Sequence, residues 1–307
     1  MISTGGLAES VLATVLKRKG QVVSSILETK AFIEDCRSNI VGGITAGLEI
    51  WELAILSHLL NNSETWTEIK KSTIDMLDDL QYMFMRYLLA TPRTCPIPAL
   101  LWETGGLLME HRIAQKKLVF YHHLLHLPRD SLAHEVASTQ AELGYPGLMT
   151  ECQVLLGKYN LSDAENKSKI QWKNEVKNSV KEANQKSFLS LTKEKYEKLD
   201  YNTLSDENCE RKDYLKSLNL PDARLKFALR TKMTKTVQMN FKGVPKFAKN
   251  GWKCTECSTP DTQEHVIRCP FFQHLRIGKN LHSDKDLVDY FRKVIKIREK
   301  LDDEMNK

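Results

Sequence analysis

ITAGLEIWELAILSHL, residues 44–59, sets Ile44, Leu48, Trp51, Ile55 and Leu59 at steps of three and four. That spacing puts all five on one face of an α-helix, whereas a strand would split them between its two faces. The reading extends in both directions. Upstream, Val22–Phe32 reads equally as helix or strand. Downstream, Asn61-Asn62-Ser63 breaks the pattern, and Ser63 is the expected N-cap of the next helix. There Ile74, Leu77, Phe84 and Leu88 repeat at helical spacing, until Pro92, Pro96 and Pro98 end it. A third helix is expected over Leu107–Leu127, with Ile113, Leu118, Phe120, Tyr121, Leu124 and Leu125 on its apolar side and Pro128 closing it. Residues 131–143 read as a short helix before the turn Gly144-Tyr145-Pro146-Gly147. Helices of this length need a shared core to be stable, so an antiparallel bundle is expected.

From Asp163 to Leu218 the chain is polar and Lys-rich, yet Trp172, Val176, Val180 and Ala183 still mark a helical stripe. Lys169, Lys173 and Lys177 recur at four-residue steps on another side. Acids balance this segment, so the three lysines read as a solvated face, with a nucleic-acid track as the sharper alternative. Pro221-Asp222 is expected to start a further helix with Asp222 as cap. Ser283, three residues before Asp286, heads a terminal helix carrying Leu287, Phe291, Val294 and Leu301. No internal repeat is found and no segment reads as a central strand. The fold class expected is all-α, in a chain whose 307 residues exceed the usual single domain.

The positive charge is local. The net charge is +6, but residues 1–150 carry 13 bases against 16 acids, residues 151–222 carry 13 against 13, and residues 254–307 carry 10 against 10. Residues 223–253 carry nine bases and no acid, more than the whole excess. Such a block points to a polyanion. Arg224, Lys226, Arg230, Lys232, Lys235, Lys242, Lys246, Lys249 and Lys253 alternate with Phe227, Phe241, Phe247 and Trp252. Cations neutralise phosphates, and aromatic faces stack on unpaired bases at about 1–3 kcal/mol each. These nine bases and Trp252 are the expected nucleic-acid contacts, with Phe227 assigned to the core. Five phosphates on a single strand would give a slope of log affinity against log salt of about −3.5.

Beside this block, CTECSTPDTQEHVIRC holds Cys254, Cys257, His265 and Cys269 in the spacing C-x2-C-x7-H-x3-C. Two thiolates one turn apart, then a His and a Cys one helical turn apart, suit a closed tetrahedral zinc site. A bound structural zinc contributes roughly 10–16 kcal/mol in finger peptides, which a segment with few large apolar residues needs. Four such donors leave no open position, so a catalytic zinc is not expected. Zinc is the one cofactor expected.

No other catalytic constellation assembles. Asp75, Asp78 and Asp79 fall on the polar side of their helix and read as a solvated face. His122, His123 and His126 lie on an apolar helix with no Cys or acid nearby, and read as core and rim. Gly42-Gly43 and Gly105-Gly106 are isolated pairs rather than a phosphate-cradling loop. The seven cysteines, an odd number, and the absence of a signal-like N-terminus suggest free thiols in the nucleus or cytoplasm. No run approaches the roughly 20 apolar residues of a membrane span, and neither a membrane nor a small-molecule substrate is expected as partner.

GLEIWELAILSHLLNNSETW (Gly47–Trp66), DLQYMFMRYLLATPRTCP (Asp79–Pro96) and ALLWETGGLLMEHRIAQKKLVFYHHLLHLP (Ala99–Pro128) together resemble the thumb region of non-LTR retrotransposon reverse transcriptases. The tail, LRTKMTKTVQMNF (Leu229–Phe241) followed by the four metal ligands, resembles the Cys-Cys-His-Cys segment at the end of those polyproteins, although its H-x3-C arm is one residue shorter than the common H-x4-C. The resemblance implies a palm-to-thumb remnant at 1–40, a thumb-like bundle at 41–150, a charged helical connector at 151–222, and a basic, zinc-binding unit at 223–307. It implies binding of template RNA or target DNA. Met76-Leu77-Asp78-Asp79 lacks the aromatic of the palm's metal motif, so a chain beginning after fingers, palm and endonuclease is expected not to polymerise. The alternatives are a helical interaction scaffold whose zinc only staples the tail, a subunit completing a polymerase whose palm comes from another gene product, and a non-functional retroelement remnant.

Overall fold

The computed structural model describes residues 5–35, 41–93, 95–195, 210–231, 233, 253–254, 256–260 and 262–305. They are mostly helical, and no strand occurs among them beyond two isolated bridges. The helices are α1 (Gly5–Asp35), α2 (Gly43–Ile50), α3 (Leu56–Leu59), α4 (Lys71–Leu89), α5 (Ile97–Thr104), α6 (Met109–Leu125), α7 (Leu132–Leu143), α8 (Leu148–Lys158), α9 (Lys169–Lys195), α10 (Tyr214–Ser217), α11 (Leu220–Arg230), α12 (Gln263–Arg268) and α13 (Asp284–Met305). They fall into two compact units. One comprises Met1–Ala31, Leu48–Met85 and Gly105–Lys195; the other comprises Phe32–Gly47, Arg86–Thr104 and Tyr196–Lys307. α6 and α9 belong to the same unit.

In the first unit α6 is the hub, packed on α7, α8 and α9. Its Ala114 and Leu118 meet Trp172, Val176 and Val180 of α9, all buried. The Trp172 indole N–H donates to the Leu118 carbonyl at 2.8 Å, so the one polar atom of that ring is satisfied inside the core. Further along α6, Leu124 joins Ala137 of α7 and Met149 of α8 in a smaller cluster. The N-terminus of α6 is buried, and its free N–H groups need acceptors. Asp78 Oδ1 accepts from Met109 N at 2.9 Å and Asn184 Oδ1 from Leu108 N at 3.0 Å. Asp78 therefore faces inward, whereas Asp75 and Asp79 are exposed as expected. Asp78 was read as solvated because a polar helical face looks the same whether it meets water or another helix's N-terminus.

The opening stretch is helical but not uniformly α: Trp51–Ile55 is a π-helical turn between α2 and α3. Trp51 stacks on Phe84, with ring centroids 4.9 Å apart. Val11, Val15, Val22 and Ile26 of α1 are buried at helical steps, which resolves the helix-or-strand ambiguity of that segment. Arg18 of α1 donates to the carbonyls of Leu59 and Asn61 and so caps the C-terminus of α3. Ser63 starts a 3-10 turn, Ser63–Thr65, rather than capping α4.

In the second unit Arg224 of α11 donates to the Leu88 and Tyr87 carbonyls at the end of α4. The N-cap of α11 is Asn219, whose side chain accepts from Asp222 N; Asp222 was the expected cap. Asp222 instead pairs with Arg292 of α13, and Lys226 with Asp284 at 2.6 Å. Gly42, at φ +77°, donates its N–H to Leu218 O. A Cβ there would stand 3.2 Å from Lys216 O, so glycine alone fits without strain. Phe227 is buried, as expected.

Candidate metal centre and its basic flank

The centre is built on two short arms. Cys254 N donates to Thr259 O at 2.7 Å and Ser258 N to Cys254 O at 2.9 Å, and Lys253 bridges Pro260 in antiparallel fashion. This tight hairpin carries Cys254 and Cys257. The second arm is α12, whose N-cap Thr262 accepts from His265 N at 2.9 Å. The helix presents His265, and Cys269 follows at its end. Tyr290 of α13 fixes this arm by donating to the Val266 carbonyl at 2.6 Å. Below the arms lies an apolar floor of Leu229, Val266, Phe272, Tyr290, Phe291 and Val294, with Cys254 and Cys269 in the same cluster.

The four ligand atoms of Cys254, Cys257, His265 and Cys269 lie within 4.8 Å of one another. Sγ of Cys254 is 4.0 Å from Sγ of Cys269, Sγ of Cys257 is 3.9 Å from Sγ of Cys269, and His265 Nε2 is 3.2 Å from Sγ of Cys257. A tetrahedral ion with sulfurs at about 2.3 Å and an imidazole nitrogen at about 2.0 Å sets S···S edges near 3.8 Å and S···N edges near 3.5 Å. The donors already stand at close to those separations, so the cluster can hold a metal ion. Burial pushes the Cys254 thiol up to about 11. Cys257 is held below the ordinary thiol range, first by a hydrogen bond with Thr259. Cys95 and Cys152, by contrast, are buried and belong to no metal-ligating cluster among the described residues, and burial pushes their thiols up to about 11 and about 12.

The basic flank divides. Arg224 and Lys226 are spent within the fold, as described above. Arg230 pairs at 2.9 Å with Glu103, a carboxylate with no exposure, which also accepts from the Tyr214 hydroxyl at 2.9 Å. Burial beside that carboxylate raises Tyr214 well above its ordinary value. These three bases hold α11 in place, and their partners lie far away in sequence, where no local signal marks them. Lys253 is exposed next to the metal arm. Lys232, Lys235, Lys242, Lys246, Lys249 and Trp252 lie outside the described residues.

His122 and His123 of α6 and His126, which caps it, make no metal cluster among the described residues. His122 is buried, stacks on Trp172 and His126, and donates from Nε2 to Lys167 O at 2.8 Å. His123 and His126 are exposed. This is the expected arrangement of core and rim. No helix among the described residues is long and apolar enough to cross a membrane. Comparison of the chain with protein-family models, curated proteins and solved structures finds no match.

Proposed function

We propose that this chain is a zinc-stabilised nucleic-acid-binding protein, related to the C-terminal part of non-LTR retrotransposon reverse transcriptases and acting by binding rather than by polymerisation. The observation that carries the reading is the convergence of Cys254, Cys257, His265 and Cys269 directly after a stretch with no acidic residue. Zinc is favoured over harder cations by three thiolates and an imidazole, and over a redox metal by the closed tetrahedral set. Its role is structural: it ties the hairpin that begins at Lys253 to α12, directly after the basic stretch in the sequence. Those lysines meet the phosphates of RNA or DNA. The thiols fit a reducing compartment, nucleus or cytoplasm.

The test is retention of radiolabelled RNA and DNA across a salt series. The tail is expected to contribute about −3.5 to the slope of log affinity against log salt, for five contacts on a single strand. The triple substitution of Lys242, Lys246 and Lys249 by Ala is expected to flatten it by about 2. An unchanged slope refutes the assigned contacts. DNA synthesis by the purified chain with primer, template and magnesium would overturn the assignment as a binding protein.

A further inference from the structure

The first unit contains a groove of 1160 Å³ between α6 and α9, reached over the π-helical turn and α3. Its two long walls differ in chemistry. Lys169, Lys173 and Lys177 line the α9 wall; all three are exposed, and the described residues supply no ion-pair partner to any of them. The bases of the α6 wall are committed: Arg112 to Glu52 at 3.7 Å and Lys116 to Glu64 at 3.1 Å. Those two are the acids that line the groove, so its acids are neutralised by its own bases and the lysine row is surplus. The α6 wall otherwise offers Gln115, Val119 and rings: His123 and the capping His126, both exposed, and Phe120, partly buried.

Four helical residues rise about 6 Å, so the three ammonium groups form a row of about 12 Å. That repeat matches the spacing of successive phosphates along an extended strand. Unpaired bases have free faces to set against imidazole and phenyl rings; in a duplex those faces are stacked inward. A flat lipid surface does not reach rings on the inner wall of a recess. An acidic peptide answers the cations but leaves the rings unused.

We propose that this groove is a binding site for a single nucleic-acid strand, its phosphates on Lys169, Lys173 and Lys177 and its bases against the His123, His126 and Phe120 wall. The proposal extends the nucleic-acid reading above to a second site, on residues that reading does not use.

The experiment measures fluorescence anisotropy of a dye-labelled oligouridylate against the full chain with Lys232, Lys235, Lys242, Lys246, Lys249 and Lys253 all replaced by Ala. Tail contacts are then removed, and what remains reports the groove. Residual binding with a salt slope of about −2 is expected, three contacts at about 0.7 each. It is expected to be lost in the added variant K169E/K173E/K177E and kept in K186E/K216E/K285E, which changes the net charge equally at exposed sites off the groove. The variant K169Q/K173Q/K177Q, checked by circular dichroism, is expected to lose binding without charge reversal. No residual binding in the tail-neutralised chain, or equal loss in the control variant, overturns the proposal. So does a duplex of the same length, or polyglutamate, binding as tightly as the single strand. If the tail substitutions cost nothing while the groove variant loses all binding, the groove stands and the tail assignment falls.

Discussion

A single buried carboxylate shows how this fold spends charge. Asp78 accepts from the first N–H of α6, and a helix N-terminus favours a negative group. Burial outweighs that help and pushes Asp78 from 3.8 up to about 6. The folded state therefore holds this proton more tightly than the unfolded chain. Its contribution to stability is fully present below about pH 4, falls as pH rises through about 6, and is lost above that. Asp78→Asn keeps an oxygen acceptor for Met109 and removes the titration. At about pH 7 the variant is expected to be more stable by on the order of 1–3 kcal/mol, and at about pH 4 to match the wild type. Urea melts at the two pH values check this; an equal gain at both would place the cause outside ionisation. Glu103 is the contrasting case, a fully buried acid held by Arg230 and the Tyr214 hydroxyl. Nothing within several residues of either acid in the sequence marks it as buried, because both partners arrive from distant segments.

At the scale of elements, apolar stripes carried most of the legible information. Trp172, Val176 and Val180 recur every four residues, and all three are fully buried on α6. Leu77, Phe84 and Leu88 behave the same way. Periodicity reports which face is buried, not what it is buried against: the stripe marks the apolar face of α9 but not that this face closes on α6. The π-helical turn at Trp51–Ile55 was illegible for a related reason: one turn of wider pitch barely disturbs a stripe read in steps of three and four. The basic helix α11 is legible as a helix, but the sequence does not mark the carbonyls and acids that Arg224, Lys226 and Arg230 meet within the fold. Arg230→Ala is therefore expected to destabilise by about 3–5 kcal/mol, leaving Glu103 buried and uncompensated. It is expected to leave the salt slope of nucleic-acid binding unchanged. Thermal melts and the salt series, run on one protein sample, separate the two effects. A shallower slope with unaltered stability would return Arg230 to the binding surface.

Across the whole molecule, two different means hold two separate cores. The α6–α9 core closes with large apolar side chains alone, Trp172 and Leu118 among them. The core of the second unit around α12 and α13 includes Cys254 and Cys269 among its buried members, so its floor and its metal donors are one structure. Removing the proposed zinc exposes the consequence. Without the ion, three sulfurs and an imidazole stand within 4.8 Å of one another with no cation to bind them together, and the hairpin loses its tie to α12. Finger-sized sites draw roughly 10–16 kcal/mol from the metal, as much as the entire stability of a typical domain. Chelation at neutral pH is therefore expected to open the amides of α12 and the facing turns of α13 to hydrogen exchange. The amides of α6 and α9 should keep their protection, because no metal donor lies in their core. Exchange mass spectrometry with and without chelator reads both regions in one experiment. Cys269→Ser should reproduce the chelated pattern without chelator, which separates loss of the ion from any direct effect of the reagent. Unchanged protection in α12 under both treatments would mean that the apolar floor of Val266, Phe272 and Phe291 suffices by itself, and the metal's part in the fold would fall.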